Sequence, residues 1–377
     1  MSVVRIVLVV LAVLFVVATV LPLFRAPYWW VRMFDFPRAQ IAVAALVTLT
    51  LFGIVNVGVP EAARWEWMLF GALVVSVAYQ GFRMIRYTPL YAAQTVAADP
   101  ALADERRRLR LVVSNVRMDN RDGDRWMAVV PAEDPDVIAA VETDSLWADR
   151  LGEGLAEDYP HRITIPQDDT YGMCVFSRLP IVDHEVRHLV EEEVPSLFLV
   201  LRLRSGEEVR LVVLHPRPPR PDIQQDSHLR DAELVRAARE VATFDAPTVV
   251  AGDLNDVAWS TTTTLFQKIS GLLDPRIGRG LYATFHADHG WLRYPLDHVF
   301  HSDHLALVEL RRLGHVGSDH FPMLVEFEIA PSVQPLQDAP QADAEDVEQG
   351  EERVEDAEQF KARETPEEKQ ERIEEDV

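Results

Sequence analysis

Val249-Val250-Ala251-Gly252-Asp253-Leu254-Asn255 is an apolar run that stops at a glycine and then presents a carboxylate and an amide. Four other apolar runs end in, or lead at once to, polar groups of the same kind. They are Leu111-Val112-Val113-Ser114-Asn115, Val137-Ile138-Ala139-Ala140-Val141-Glu142, Leu211-Val212-Val213-Leu214-His215, and Leu296-Asp297-His298-Val299-Phe300 with Ser318-Asp319-His320 close behind. Short runs that are apolar at nearly every position read as interior strands covered on both faces. Strands that repeatedly deliver Asp, Asn, Glu and His to one rim suit a hard-metal site that cleaves phosphoesters.

Working outward, strands are expected at 109–115, 136–141, 172–177, 197–204, 208–215, 247–252, 296–300 and 322–328. Residues 226–243 carry apolar side chains at helical spacing, and 259–273 read as a further helix capped by Ser260 or Thr261. The sum over 109–330 is one α/β domain, long enough for two packed sheets.

Charge divides the 377 residues into unlike parts: net +3 over 1–100, −14 over 101–330 and −12 over 331–377. Residues 331–377 have Phe360 as their only aromatic and few branched apolar residues, so they read as a disordered acidic tail. Cys174, the one cysteine, sits in the apolar run Met173–Phe176 and reads as a small core residue, which excludes an intrachain disulfide. Lysine occurs only at 268, 361 and 369, which argues against a strong phosphate-tracking surface for nucleic acid.

Residues 1–92 form a membrane region with three transmembrane helices, about 3–24, 41–59 and 67–82, and 93–108 a polar linker. The first run has the ~20 residues that a bilayer core needs, and Trp29, Trp30, Trp65 and Trp67 flank the runs as interfacial aromatics do. A cleaved leader fits less well, because no small-x-small site precedes Pro22 and two further runs follow. Arg25, Arg32, Arg38, Arg83 and Arg86 favour a cytoplasmic domain, whereas a short N-terminus kept inside places the domain outside after three spans. The two cues point opposite ways. No cue to oligomeric state is present.

Phosphoester hydrolysis needs charge neutralised on the phosphoryl oxygens, a water aimed in line and help for the leaving oxygen. Glu142 offers the hard oxygen that Mg²⁺ (or Mn²⁺) accepts, with Asn115 as a neutral partner. Asp253 suits orienting and deprotonating the water, and Asn255 suits donation to a phosphate oxygen. His215 and His320 are candidate phosphate donors, one of them held by Asp297 or Asp319. Arg276, Arg279 and Arg293 are candidate phosphate contacts, since guanidinium binds phosphate bidentately. Singly, each has a plainer reading: strand-end Asp and Asn residues usually serve turns, and loop arginines pair with local acids. The conjunction of five strand ends, with Gly252 and Gly317 at close approaches, favours the site.

Residues 109–327 resemble the endonuclease/exonuclease/phosphatase superfamily, the fold of pancreatic-type deoxyribonuclease, abasic-site endonucleases, inositol-polyphosphate phosphatases and neutral sphingomyelinases. The matching pieces follow the family order: Ser114-Asn115, Val141-Glu142, Tyr171-Gly172 with Phe176-Ser177-Arg178-Leu179-Pro180-Ile181, Leu214-His215, Gly252-Asp253-Leu254-Asn255, Leu296–Phe300 and Ser318-Asp319-His320-Phe321-Pro322. The resemblance implies an α/β four-layer sandwich of two mixed β-sheets flanked by helices, here preceded by three transmembrane helices. It implies that Glu142 holds Mg²⁺ with support from Asn115 and with Asp319 beside it. Asp253 and Asn255 then handle water and phosphate, His320 pairs with Asp297, and His215 contacts phosphate. His298 stands where the family often has tyrosine, and Pro216-Arg217-Pro218-Pro219 replaces more polar residues. With Asp274–Gly280 and Thr284-Phe285-His286-Ala287, these departures resemble the bacterial membrane-anchored branch that includes vancomycin/teicoplanin-resistance-associated proteins.

The function expected is a membrane-anchored, Mg²⁺-dependent phosphoester hydrolase acting on a small or lipid-linked phosphate by attack of an activated water. The alternatives are a Mg²⁺-dependent nuclease and a non-enzymatic membrane scaffold.

Overall fold

The computed structural model describes residues 2–57, 63–219 and 226–374. In chain order the helices are α1 (Val3–Val20), α2 (Trp29–Arg32), α3 (Arg38–Val57), α4 (Arg64–Ile85), α5 (Gly123–Val129), α6 (Ser145–Gly154), α7 (His228–Val241), α8 (Thr261–Ser270), α9 (Ala344–Arg363) and α10 (Pro366–Glu374). The strands are β1 (Arg108–Asn115), β2 (Val137–Val141), β3 (His161–Ile165), β4 (Met173–Ser177), β5 (Ile181–Arg187), β6 (Ser196–Arg202), β7 (Glu208–Val213), β8 (Thr248–Asp253), β9 (Asp297–His301), β10 (Leu305–Arg312) and β11 (Met323–Ile329).

The strands make two mixed sheets, ordered β10-β11-β1-β2-β4-β3 and β5-β6-β7-β8-β9. Among the described strands, β1–β2 and β7–β8 are the pairs that run parallel, and they lie at the centre of the fold. The sheets face each other across a core that includes Leu111, Val113, Val137, Val141, Leu211, Val213, Val249 and Val299. The outer face of the first sheet is covered by Trp126, Trp147 and Leu151 of α5 and α6, and that of the second by Leu234, Ala238 and Phe266 of α7 and α8. This is the four-layer α/β sandwich expected.

Three helical segments, Val3–Phe24, Arg38–Val57 and Arg64–Ile85, are long and apolar enough to cross a membrane. Their outward side chains, among them Val10, Leu14, Leu46, Ile54, Val75 and Phe82, are apolar and exposed. The last two residues of the second expected span, and Glu61, lie outside the described residues. Arg5 pairs with Glu66 where α1 and α4 begin, while the end of α4 meets the sandwich. There Tyr87 Oη donates to the Ala258 carbonyl (2.6 Å), Trp259 Nε1 to the Asp35 carbonyl (2.6 Å), and the Gly278 amide to the Arg86 carbonyl (2.7 Å). The N-terminus and the sandwich therefore sit at opposite ends of the helical bundle.

The linker is tied to the sandwich: the Ala98 amide bonds the Leu307 carbonyl (2.8 Å), and Thr95 is buried against His301. One expectation is corrected here: residues 331–377 are not a disordered tail as far as they are described. α9 starts from an Asp343 cap and lies on α7, with Val354, Ala357 and Phe360 packed on Val190, Leu229 and Ala232. The apolar residues are too few for a core of their own. At i, i+3, i+6 spacing they share one face, which suffices to extend a core that exists already.

Candidate active site

Strand alternation explains how the polar groups converge. Leu109, Leu111 and Val113 point into the inter-sheet core, and two residues on, the same row ends in Asn115. Likewise Val209, Leu211 and Val213 lead to His215, Val249 and Ala251 lead to Asp253, and Val299 leads back to Asp297. Each functional side chain continues the inward row of its strand just past the rim of the apolar core. Glu142 breaks the parity, because Val137, Ala139 and Val141 hold the inward row. Its backbone is left-handed (φ 59°), which turns the carboxylate back toward Asn115. For a non-glycine residue that conformation costs roughly 1–2 kcal/mol, a cost met where the surroundings fix it.

Gly252 is needed for a close approach. Its φ is +145°, and a Cβ there would overlap the Leu214 carbonyl oxygen. Only glycine lets β8 lie this close to the backbone that carries His215.

Asn115 Nδ2 donates to Glu142 Oε1 (2.6 Å) and to Asp253 Oδ2 (3.1 Å), while Asn115 Oδ1 accepts the Arg117 amide (2.9 Å). The Arg117 N–H can be met only by the oxygen, so the amide nitrogen must face the two carboxylates. Asn115 thus stands as a bridge that draws Glu142 and Asp253 together, with its oxygen turned to the Arg117 amide.

Ligand atoms of Glu142, His215 and Asp253 lie within 4.8 Å of one another, and so do those of Asp253, Asp297 and His320. His215 Nε2 stands 3.9 Å from Glu142 Oε1, and His320 Nε2 stands 3.5 Å from Asp253 Oδ2. Asp253 and Asp297 are register partners across β8 and β9, and His320 reaches both, with Nδ1 2.7 Å from Asp297 Oδ2. Asp319 is half-buried at the edge of the site; its charge acts on Glu142 and His320, but it is not within either tight group. Asn255, also left-handed (φ 51°), donates its side-chain amide to the Pro216 carbonyl (3.0 Å) and its backbone N–H to Asp253 Oδ1 (2.9 Å).

The electrostatics follow from this crowding. Glu142 keeps 21% of its side-chain surface open but sits deep among other atoms. Burial pushes its pKa up to about 7, against the Asn115 hydrogen bond and the His320 charge. Burial disfavours a charged His320, yet Asp297, Asp253 and Asp319 outweigh it and raise the imidazole to about 10. His215 is held neutral, its pKa lowered by burial. Asp297 is raised by burial, against the pull of His320.

The three arginines separate. Arg276 is fully buried, salt-bridged to Asp274 (2.8 Å) and donating to His298 Nδ1 (2.7 Å). It is a structural cation, which corrects its reading as a phosphate contact; the strong local acid two residues away was the signal. Arg279 donates to the Pro275 and Thr95 carbonyls (3.2 and 2.7 Å) and pins the linker, a second correction. Arg293 stays near the site, over the Phe321 ring (5.1 Å) and donating to the Ala287 carbonyl (3.2 Å). The Ala287 amide in turn bonds the Asp319 carbonyl (2.6 Å).

Two neighbours escaped the sequence reading as site residues. Phe285 lies against the His320 ring (5.0 Å between centroids) and Tyr171 against His215 (5.8 Å). Both belong to motifs already quoted, but an aromatic in a loop gives no sign of which imidazole it will meet.

Residues 112–320, more than half of the chain, match the profile of the Endonuclease/Exonuclease/phosphatase family. Comparison with curated proteins finds no match. Similar solved structures include an endonuclease/exonuclease/phosphatase from Beutenbergia cavernae (20% identity, 59% of this chain and 72% of that one, TM-score 0.47). Others are the human Nocturnin catalytic domain with bound sulfate (16%, 60% and 97%, TM-score 0.49) and sphingomyelinase C from Streptomyces griseocarneus (17%, 58% and 99%, TM-score 0.44).

Proposed function

Because the chain belongs to the endonuclease/exonuclease/phosphatase family, a family of metal-dependent phosphoric ester hydrolases, we propose that it is a membrane-anchored hydrolase of a small or lipid-linked phosphate. The observation that carries the reading is the gathering of Glu142, His215 and Asp253, with Asp297 and His320, at one rim.

The donor set fits a hard divalent cation such as Mg²⁺ or Mn²⁺. Glu142 and Asp253 bring carboxylate oxygens together, and Asp297 Oδ1 is buried without a hydrogen-bond partner among the described residues. Glu142 would hold the cation, with Asp319 beside it, and the cation would supply positive charge to the phosphoryl and leaving oxygens. Asn115 positions Glu142 and Asp253. Asp253 accepts a proton from the attacking water as the new P–O bond forms and the P–O bond to the leaving group breaks. The imidazolium of His320, steadied by Asp297, donates through Nε2 to a non-bridging oxygen. His215 lies where a neutral imidazole can donate to a second one, Asn255 shapes the loop after Asp253, and Arg293 is the remaining candidate for a phosphate contact.

The location of the site supports a lipid-linked substrate. The loop after His286 carries Trp291 and Leu292, both exposed, and Gln40 near the start of α3 donates to the Trp291 carbonyl (2.6 Å). Exposed Trp and Leu at the mouth of a spanning helix suit the bilayer interface. The likeness to the membrane-anchored bacterial branch, carried by Asp274–Gly280 and Thr284–Ala287, points the same way.

The test uses the full chain in lipid nanodiscs with Mg²⁺ or Mn²⁺, assayed on bis(p-nitrophenyl) phosphate, on phosphatidic acid and phosphatidylcholine vesicles, and on plasmid DNA. Metal-dependent release from the first two classes, lost in Asp253→Ala, is expected. Faster cleavage of DNA than of lipid makes the chain a nuclease instead, and turnover indifferent to chelation overturns the reading.

A further inference from the structure

The C-terminal helices meet the sandwich at two buried carboxylates, and each carboxylate is divided in the same way. Glu191 is 2% exposed; its Oε1 accepts Arg372 of α10, and its Oε2 accepts Arg217 Nε (3.0 Å). The Arg217 guanidinium lies over the Tyr171 ring (5.0 Å), and that ring lies against His215. Asp231 is 1% exposed; its Oδ2 accepts Arg353 of α9 and Arg32 (3.3 Å), and its Oδ1 accepts Arg230 Nη2 (2.7 Å). Arg230 Nη1 then donates to the Asn255 carbonyl (2.7 Å).

We propose that α9 and α10 act as a clamp on the site, with Arg353 and Arg372 as positioning residues for the loops that carry Asn255 and His215. Without Arg372 the Glu191 carboxylate keeps its bond to Arg217 on the other oxygen and can rotate. Without Arg353, Asp231 Oδ2 keeps the longer contacts to Arg32 (3.3 Å) and Ser227 Oγ (3.2 Å) and is held more loosely. A carboxylate gripped on both oxygens presents its second oxygen at a fixed point, which fixes the arginine it holds. The tail carries 17 acidic and 5 basic residues over 331–377, yet two of its few cations make these two contacts. On α9, Glu351, Glu352, Glu355 and Asp356 are exposed, while Asp346 pairs with Lys268 (2.8 Å) and Glu358 with Arg236 (2.8 Å) at the rim of the contact. Docking through two buried cations with most of the charge left at the rim or in solvent makes the tail a separable part whose seating decides whether both loops are in place. Asp231 also takes Arg32, so the segment between the first two spans joins the same junction.

This inference rests on the function proposed above, and its test reads the loops directly as well as turnover. Full-length Arg372→Ala, Arg353→Ala, their lysine counterparts and the double alanine variant are compared in nanodiscs by amide hydrogen exchange and by kcat and KM on bis(p-nitrophenyl) phosphate. Arg372→Ala is expected to speed exchange around His215 and Arg217 but not around Asn255, and Arg353→Ala the reverse, a selectivity that general loosening does not produce. Each alanine variant lowers kcat by about 10-fold, in line with small misplacements of catalytic groups, with KM little changed and partial rescue by lysine. Unchanged exchange at both loops in the double alanine variant overturns the clamp, as does equal exchange at both loops in each single variant. A wild-type protein with no phosphoesterase activity refutes the proposed function, and the exchange data then decide the clamp alone.

Discussion

Asp297 Oδ2 lies 2.7 Å from His320 Nδ1 in a fully buried pair. The contact sets both the orientation of the imidazole and its charge, since Nδ1–H points to Asp297 and Nε2–H is left facing Asp253. Removing the carboxylate while keeping its shape separates these effects. In Asp297→Asn, kcat is expected to fall on the order of 100-fold, a typical contribution of a positioned proton donor. The His320 pKa should also drop from its present position near 10, readable as an imidazole chemical-shift titration.

The same pair makes stability depend on pH with a defined sign. The folded pKa of His320, about 10, exceeds its ordinary value of 6.5, so the native state binds the proton more tightly than the unfolded chain does. Its contribution is full below about 6.5 and is lost as pH rises through about 10. The Tm difference between wild type and His320→Gln should therefore shrink across that window. A difference that grows toward alkaline pH contradicts the assignment.

Glu142 carries the opposite consequence for metal. With its pKa pushed up to about 7 by burial, protons compete with a cation for the carboxylate. Calorimetric titration with Mn²⁺ should show tighter binding at about pH 8 than at about pH 6, because the ligand must be deprotonated. Glu142→Gln should bind Mn²⁺ at least about 10-fold more weakly, the range seen when a metal site is perturbed. Without metal it should melt higher than wild type above pH 7, where the wild-type carboxylate is a buried charge.

Most of the centre of this fold was legible in the sequence because interior strands are apolar on both faces. The strands that were missed, β3, β5 and β10, are the hairpin edges: β3 and β5 are sheet margins with half or more of their residues outside the core, and β10 is fully buried only at Leu305, Ala306 and Leu307. An edge strand needs only one covered side, so its sequence resembles a loop. At the site, the alternation of Asn115, His215 and Asp253 with the core residues before them was readable, whereas the turn that redirects Glu142 was not. For Arg276 the sequence held a signal, Asp274 two residues away, but that the pair is buried as a unit is seen only in the fold.

That distinction is itself testable. Arg276→Ala leaves Asp274 as an unpaired buried charge and should cost about 3–5 kcal/mol of stability, seen in denaturant unfolding. Arg293→Ala, at a half-buried rim position, should leave stability nearly unchanged and raise KM for a phosphodiester.

Gly252→Ala tests how the site is assembled. The positive φ and the Leu214 carbonyl together should make this single methyl cost about 2–4 kcal/mol, measured by chemical denaturation, with activity lost before global unfolding.

The most direct measurement is an anomalous-scattering map from crystals of the full-length protein soaked in Mn²⁺. A peak within roughly 2–2.3 Å of a Glu142 carboxylate oxygen, the distance expected for a hard divalent ion on oxygen ligands, with Asp253 and His320 around the same cleft, is the predicted result. Strong Mn²⁺ density elsewhere, with none beside Glu142 at a pH where its carboxylate is ionised, contradicts it.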